Sequence, residues 1–405
     1  MTKNDKYTIL IDGNFLLHKT YHVAKHISNG KFDFIKDPAA DKNLLLWKLS
    51  MDFASELKRF DAIIENVIYC IDGSSWRKHY FPKADIEQGE NIKYKANRVQ
   101  SNDIDWGLIY ETHQEFAKGI EKLGIKTVRL DGCEADDLIF AYSSVLNAKG
   151  RNALVISGDG DLTQLVNHDD TNNANTIYYN KFAKTLYVAP GFTDWVSKTK
   201  IQAIDIFNQP IDITDNSKDG LKSIVKSLDS TDVNTAEFQF KKIIKGDSGD
   251  NVAPIYAQPK VYKSGKKKGQ EYFSTPSDKQ INEVLKTFNE RYDTINPVMF
   301  WNKDIISEIC GLVKMTCKYN DVSMKQLEKN YADNRNLMIL HEKAIPTPIM
   351  ESMTNNIAVF SNLEINKSEL NALKDFKNIL DETSYEEKEK KKQSSGGFFN
   401  SFNLD

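Results

Sequence analysis

The segment Tyr7-Thr8-Ile9-Leu10-Ile11-Asp12-Gly13 combines a short apolar β-type run with a carboxylate at its end. Similar runs, each ending in a carboxylate or followed closely by one, lie at residues 66–72, 126–130 and 153–157. Helix-spaced apolar residues separate them, at 44–60, 106–123 and 135–148. This alternation predicts an α/β fold with a parallel central sheet and helices on both faces. Ligands of such sheets gather at the carboxyl ends of the strands.

The composition is that of a globular protein with a substantial core. The 405 residues include 40% hydrophobic and 11% aromatic side chains, enough for two to three domains. Lys and Arg number 54 against 57 Asp and Glu, so any nucleic-acid binding must come from local basic patches. No apolar run is long enough to span a membrane, and the first residues are too short for a secretory signal. We therefore expect a cytoplasmic protein, whose four cysteines lack C-x-x-C spacing and are reduced thiols.

Composition shifts divide the chain into four parts. An α/β core is expected over 1–167, a polar insertion over 168–240, a mainly helical part over 241–380 and a flexible tail with an apolar tip over 381–405. The helical part contains a basic loop, 259–270, without an acidic residue. Its lysines are Lys260, Lys263, Lys266, Lys267 and Lys268. No G-x-G-x-x-G follows the first strand and no P-loop motif occurs, which disfavours a nucleotide-binding protein.

Carboxylates recur at positions that the predicted sheet would bring to one edge. Four follow strands, three open a helix, and two more lie in a later turn: Asp12, Asp72, Asp159 and Asp161; Glu134, Asp136 and Asp137; Asp247 and Asp250. Each motif alone is compatible with a turn or a helix cap. Together they would repel unless cations neutralised them. Oxygen-only ligands favour Mg²⁺ or Mn²⁺, and two such ions about 4 Å apart suit phosphodiester chemistry.

A basic segment with interleaved aromatic residues lies between the second and third predicted strands. It contains Arg77 and Lys78, followed by Tyr94-Lys95-Ala96-Asn97-Arg98. Cations that contact phosphates beside aromatic rings that stack on bases are typical of nucleic-acid binding. The alternative is a solvated helix face.

With these motifs the sequence resembles the flap endonuclease and 5′-3′ exonuclease superfamily, most of all its ribonuclease H members from T-even phages. The matching strings occur in the family's order between Tyr7 and Val252. They are Ile11-Asp12-Gly13-Asn14, Ile71-Asp72-Gly73, Tyr94-Lys95-Ala96-Asn97-Arg98, Glu134-Ala135-Asp136-Asp137, Ser157-Gly158-Asp159-Gly160-Asp161 and Lys245-Gly246-Asp247-Ser248-Gly249-Asp250.

The resemblance implies a role for each carboxylate. The residues implied to hold a first metal are Asp72, Glu134, Asp136, Asp159 and Asp161, with Asp12 and Asp137 in or just outside its shell. Asp247 and Asp250 would complete a second site shared with Asp161. The implied activity is Mg²⁺-dependent hydrolysis near the 5′ end of DNA or RNA annealed to DNA. Removal of RNA primers or flaps in a phage-infected bacterial cell would be its purpose.

The resemblance also implies nucleic-acid contacts. Lys95 and Arg98 would contact the scissile phosphate, Tyr94 would stack on the terminal base, and Arg77 and Lys78 would contact phosphates. Segment 76–104 would include the helical arch that the family places over its active site.

One departure from the family concerns the duplex contact. The glycine-rich hairpin that normally follows the last carboxylate pair is absent or reshaped, so we expect Lys266, Lys267 and Lys268 to contact the duplex instead. The tail tip, with Phe398, Phe399 and Phe402, is expected to dock a partner such as a sliding clamp or to fold back on the protein. The chain is expected to be a monomer. Two alternatives remain: a PIN-type ribonuclease, and a non-catalytic structure-specific nucleic-acid-binding protein.

Overall fold

The computed structural model describes most of the chain between residues 6 and 361. The described ranges are 6–28, 30–60, 63–80, 94–95, 98, 103–192, 224, 228–256, 258–261, 263–265 and 268–361.

The centre of the molecule is an eight-stranded, mostly parallel sheet. The strands are β1 (Tyr7–Asp12), β2 (Ile64–Ile71), β3 (Lys126–Arg129), β4 (Asn152–Ser157), β5 (Asn167–Asp169), β6 (Ala174–Asn180), β7 (Thr185–Val188) and β8 (Asp229–Asp232). Their order is β3-β2-β1-β4-β6-β7-β8, and β5 pairs with β6. Pairs β1–β2, β1–β4, β2–β3 and β4–β6 are parallel, so the carboxyl ends of β1, β2, β4 and β6 share one edge.

Helices cover both faces of this sheet. They are α1 (Gly13–Ile27), α2 (Pro38–Phe60), α3 (Arg77–Tyr80), α4 (Trp106–Glu121) and α5 (Ala135–Ala148). Alternation along β1 separates two cores, because Ile9 and Ile11 face α1, α2 and α4 while Leu10 faces α5. The predicted α/β class with helices on both faces is therefore confirmed. The α1 helix was not predicted, and α2 begins six residues before its expected start.

The predicted polar insertion over 168–240 is wrong for its first part. Strand β6 is buried throughout and pairs in parallel with β4, and β7 continues the sheet. The polar cluster that suggested a loop is only the turn between β5 and β6. Residues 193–223 and 225–227 lie outside the described residues.

The C-terminal part is mainly helical, as expected. Its elements are α6 (Thr235–Lys245), β9 (Gln258–Val261), β10 (Glu271–Ser274), α7 (Asp278–Tyr292), α8 (Lys303–Cys317), α9 (Met324–Met338) and α10 (Thr347–Ser361). Helices α6 to α9 share a third core. Strands β9 and β10 form an antiparallel hairpin that carries the basic loop between α6 and α7, where the family's glycine-rich hairpin was expected.

Helices α9 and α10 connect this part to the sheet. The side chain of Gln164 donates to the Met338 carbonyl (3.2 Å) and accepts from the Leu340 amide (2.8 Å). Met353 and Ile357 of α10 pack in the core on the α5 side. Within the described residues, no helix is both long and apolar enough to cross a membrane.

Candidate active site

The first carboxylate of the site is built by the end of β1. Asp12 caps α1, accepting the Phe15 amide (2.9 Å), and its other oxygen accepts the Ser157 hydroxyl (2.8 Å). The side chain is only 5% exposed. Burial and the neighbouring charge of Asp72 raise the pKa of Asp12 to about 7. A carboxyl in this state gains most from a nearby cation.

Asp72 lies beside Asp12 because β2 is the parallel neighbour of β1. Its backbone amide donates to the Asn14 side chain (3.0 Å), and its carboxylate accepts the Ala135 amide (2.7 Å) at the start of α5. Burial first, and the charge of Glu134, raise the pKa of Asp72. The turn after β2 is thereby fixed against α5.

Three further carboxylates complete the cluster at the end of β4 and the start of α5. Asp159 accepts the Asp161 amide (2.9 Å), and its own amide donates to Ser157. Burial and the charges of Asp159 and Asp12 raise the pKa of Asp136 well above its usual value. Burial also raises the pKa of Asp161 to about 6. The predicted convergence of strand-end carboxylates is therefore present in the structure.

Glu134 differs from these carboxylates because cations surround it. Its oxygens accept from the Lys95 ammonium (2.6 Å), the Arg77 guanidinium (3.0 Å) and the Tyr94 hydroxyl (3.0 Å). Burial alone would raise the pKa of Glu134, but Lys95 and Arg77 lower it to about 2. Glu134 therefore stays ionised throughout the physiological range.

Arg77 does not fit its predicted phosphate contact. The side chain is 3% exposed, and its two terminal nitrogens form a double hydrogen bond to Asp137 (2.9 and 3.0 Å). Its Nε donates to the Leu337 carbonyl of α9 (2.8 Å). Asp137, which has no exposed side-chain surface, also accepts the Glu134 amide in a capping box. The pair is a buried brace, and Asp137 is held away from the other carboxylates.

Tyr94 does not fit its predicted base-stacking role either. Its ring is buried, packs with Val252 and Met338, and has the Lys95 ammonium 4.9 Å from its centroid. The hydroxyl donates to Glu134 and Asp250. Tyr94 therefore joins two carboxylate loops and presents no free ring face to a base.

Lys95 and Arg98 do lie at the site. Burial would lower the pKa of Lys95, but Glu134 and Asp250 raise it, so its ammonium stays charged. Arg98 is largely exposed and pairs with Asp250 (2.6 Å). Lys78 and Lys268 are exposed, whereas Lys266, Lys267, Phe398, Phe399 and Phe402 lie outside the described residues.

Asp247 and Asp250 approach from the C-terminal part. Gly246 has φ +68°, and a Cβ there would collide with the Val252 and Ala253 carbonyls, so only glycine permits this close turn. The turn brings Asp247 back to Lys242 of α6, whose ammonium contacts both Asp247 (2.7 Å) and Asp161. Burial would raise the pKa of Asp247, but Lys242 lowers it.

The proposed second site is therefore filled by a lysine rather than shaped as an open cage. Within the described parts of the chain, no three His, Cys, Asp or Glu side chains converge on one point suited to a metal ion. The donors nevertheless have the chemistry for a hard divalent cation, since they are oxygen-only, crowded and in part raised in pKa by one another. The residues fit such an ion, provided that the lysines yield.

Comparison with known proteins agrees with this arrangement. A family model described as the 5′-3′ exonuclease N-terminal, resolvase-like domain matches residues 7–190, which include β1 to β7. This part of the chain belongs to the 5′-3′ exonuclease and flap endonuclease superfamily. The match ends before α6, so it does not include Asp247, Asp250 or Lys242.

Relatives of this exonuclease domain cover only part of the chain. A 5′-3′ exonuclease of Buchnera aphidicola subsp. Acyrthosiphon pisum is 29% identical over 170 residues, 42% of this chain and 51% of the relative. One from Mycoplasmopsis pulmonis is 27% identical over 198 residues, 47% of this chain and 56% of the relative. The chain thus spans about half the length of these relatives.

Solved structures align with most of the chain at low identity. A T5 D15 flap endonuclease complex with DNA and metal ions has a TM-score of 0.48 and 15% identity, covering 88% of this chain and all of that one. T5 D15 protein co-crystallised with metal ions has a TM-score of 0.45 and 16% identity, with 87% and 98% covered.

Sequence reasoning missed three contributors to the site of this exonuclease domain. Ser157 joins Asp12 to Asp159, Lys242 joins Asp161 to Asp247, and Asn14 fixes the turn at Asp72. Lys242 was in principle detectable, because it precedes Asp247 by five residues across a glycine that ends a helix. Ser157 had no signal beyond its place at a strand end.

Proposed function

We propose that this chain is a divalent-metal-dependent 5′ nuclease that hydrolyses phosphodiesters near the 5′ end of DNA, or of RNA annealed to DNA. The observation that carries the proposal is the meeting of Asp12, Asp72, Asp136, Asp159 and Asp161 at one sheet edge, within an exonuclease-family domain. Such a concentration of negative charge is costly without cations. The whole chain's substrates and partners are part of this proposal.

The carboxylates would hold one or two Mg²⁺ or Mn²⁺ ions. Asp72, Asp136 and Asp159 would supply the central ligands, and Ser157 would keep Asp12 and Asp159 aligned. Bound ions would withdraw charge from the phosphate and make a water molecule a better nucleophile. Asp161 and Asp247 would be shared with a second ion when the Lys242 ammonium moves aside.

Lys95 and Arg98 would contact the scissile phosphate. Both are cations beside the carboxylate edge, and both now pair with carboxylates, Lys95 with Glu134 and Arg98 with Asp250. A phosphate entering the site would take over part of these contacts. A group that acts on charge developing in the transition state affects turnover more than substrate binding.

Duplex binding, biological role and partners form the outer part of the proposal. Exposed Lys268 lies in the β9–β10 hairpin, where the basic loop would contact the duplex. Removal of RNA primers or flaps in phage-type replication, action as a monomer and docking of the tail to a sliding clamp complete it.

Cleavage of labelled oligonucleotides tests the central proposal. Wild-type protein with Mg²⁺ or Mn²⁺ should cleave 5′-flap, nicked or RNA-primed duplexes, and chelator should abolish cleavage while leaving part of the binding. Asp159→Asn at the edge should behave like removal of the metal. Lys95→Ala should lower kcat more than it raises KM.

Asp170→Asn is the matched control, because this exposed carboxylate lies in the β5–β6 turn at the opposite end of β6. It should cleave like the wild type. Full activity in excess chelator would refute the metal-dependent mechanism. Binding without cleavage under every metal condition would favour the non-catalytic binding protein, and cleavage of unpaired RNA alone would favour the PIN-type ribonuclease.

A further inference from the structure

An exposed aromatic ring lies beside the carboxylate edge and takes no part in the site described so far. Phe182, in the β6–β7 turn, is 69% exposed. Because β6 runs parallel to β4, this turn lies at the same end of the sheet as Asp159. A phenyl ring on the surface forgoes the free energy of burial, and apolar surface beside a binding site is a common mark of ligand contact.

The ring is held close to the carboxylates through the end of β4. A Cβ on Gly158 would collide with the rings of both Phe15 and Phe182, so both rings lie directly on the backbone that precedes Asp159. The Lys181 amide donates to the Ser157 carbonyl (2.8 Å). The turn is thereby attached to the residue whose hydroxyl joins Asp12 and Asp159.

Phe15 supports the exposed ring from below. The two rings meet edge to face, with centroids 5.1 Å apart and an interplanar angle of 89°. Phe15 is itself fixed, because its amide donates to Asp12 in the first turn of α1. An edge-to-face pair occupies only one edge or face of the outer ring and leaves the remainder available to a third ring.

The turn is also rigid. The Asn180 side chain accepts the amides of Phe182 (3.0 Å) and Ala183 (2.9 Å), and Lys184 has φ +54°. A fixed ring loses little conformational entropy when a flat partner stacks on it. Exposed Lys184, two residues further on, supplies a positive charge next to this surface.

We propose that Phe182, supported by Phe15, is a stacking surface for an unpaired nucleobase of the substrate strand next to the cleaved phosphate. The inference rests on the proposed nuclease function and adds a base contact to it. A nucleobase is the occupant that matches these features, because it offers a flat apolar face attached to a phosphate that Lys184 and the metal edge would attract.

Affinity measurements with Phe182 variants test this proposal. In Ca²⁺ or chelator, where turnover is prevented, Phe182→Ala should weaken binding of a substrate with an unpaired 5′ segment by about 5- to 150-fold. Phe182→Leu should lose most of the affinity as well, since it keeps apolar bulk without a flat ring, whereas Phe182→Trp should retain it. Val298→Ala, which truncates a similarly exposed apolar residue in the helical part, is the matched control and should bind normally.

Photocross-linking locates the contact directly. Substrates with single 5-iodouracil substitutions near the cleavage position should cross-link to the peptide that contains Phe182, and the cross-link should disappear in Phe182→Leu. Wild-type affinity and cross-linking in Phe182→Ala would overturn the proposal. So would a marked fall in the melting temperature of Phe182→Ala, because the ring would then be a packing residue.

Failure of the stacking proposal differs from failure of the proposed function. If the wild type cleaves and Phe182→Ala binds and cleaves equally well, only the stacking proposal is wrong. If the wild type binds without cleaving but Phe182→Ala binds weakly, the stacking contact stands and the nuclease assignment is wrong. If the wild type binds no nucleic acid, both are wrong.

Discussion

Replacing Arg77 with methionine should destabilise the protein severely. The guanidinium makes two hydrogen bonds to Asp137, one to Glu134 and one to the Leu337 carbonyl, all without access to solvent. Arg77→Met keeps the apolar stem but leaves the fully buried Asp137 carboxylate without its counter-ion. Removing one partner of a buried ion pair typically costs about 3–5 kcal/mol of unfolding free energy.

Thermal or urea unfolding measures this loss. At roughly 2–4 °C per kcal/mol, the expected fall in melting temperature is about 6–20 °C. Lys78→Met is the matched control, because the neighbouring cation is exposed, and its effect should stay within about 0.5 kcal/mol. The double variant Arg77→Met with Asp137→Asn should recover much of the loss, since Asn keeps an acceptor for the Glu134 amide without a buried charge.

The opposite pattern would refute this reasoning. If Arg77→Met unfolds like the wild type but binds nucleic acid more weakly, with a smaller salt dependence, then Arg77 contacts phosphate as the sequence first suggested. Lys78→Met should then show a similar binding defect. Equal stability of the single and double variants would also exclude a buried counter-ion role.

Four further results are expected. In chelator, the melting temperature should fall as pH rises from about 4 to 7, because Asp12 and Asp161, with pKa values raised to about 7 and 6, bind protons more strongly in the folded than in the unfolded state. Added Mg²⁺ or Mn²⁺ should flatten that profile, and an unchanged profile would contradict metal binding at this edge. Lys242→Met should lower metal-free stability yet tighten divalent metal binding measured by calorimetry, since Asp161 loses its ammonium partner; weaker metal binding would mean that the lysine supports the site. Neutralising the lysines at 266–268 should reduce the log-log salt slope of duplex binding by up to about 0.9 for each phosphate that the loop no longer neutralises, and an unchanged slope would place duplex binding elsewhere. Deleting residues 396–405 should preserve cleavage of short oligonucleotides and remove stimulation by the cognate clamp, whereas a large loss of stability would indicate that the tip folds back.

Periodicity was enough to predict the sheet and the position of its acidic edge. Buried strands are nearly continuous apolar runs, and a carboxylate that ends such a run has few places to go once the strands are parallel. Asp12 and Asp72 are therefore predictable neighbours. The buried strand β6 was missed, because the polar turn before it and the Asn and Thr residues at its start obscured the apolar residues that follow.

Side-chain roles were harder to predict than backbone positions. Arg77 and Tyr94 have the residue types of a nucleic-acid surface, yet each is buried by α9, whose contact with them involves more than 240 positions of sequence separation for Arg77. Local sequence contains no information on such a partner. Lys242 was overlooked for the same reason, since its pairing with Asp161 depends on how two distant segments meet.

The docking of α9 also limits where this protein can be divided. Residues 7–190 are shared with other 5′-3′ exonucleases, but here the side chain of Gln164 is bonded at both ends to the backbone around Met338, and Asn334 of the same helix bonds the carbonyls of Ile243 and Ala253. A fragment cut at residue 190 would expose apolar surface and lose these partners together with Asp247. The shared segment is a unit of ancestry and not a unit of folding, and grafting it onto another protein requires a substitute for this helix.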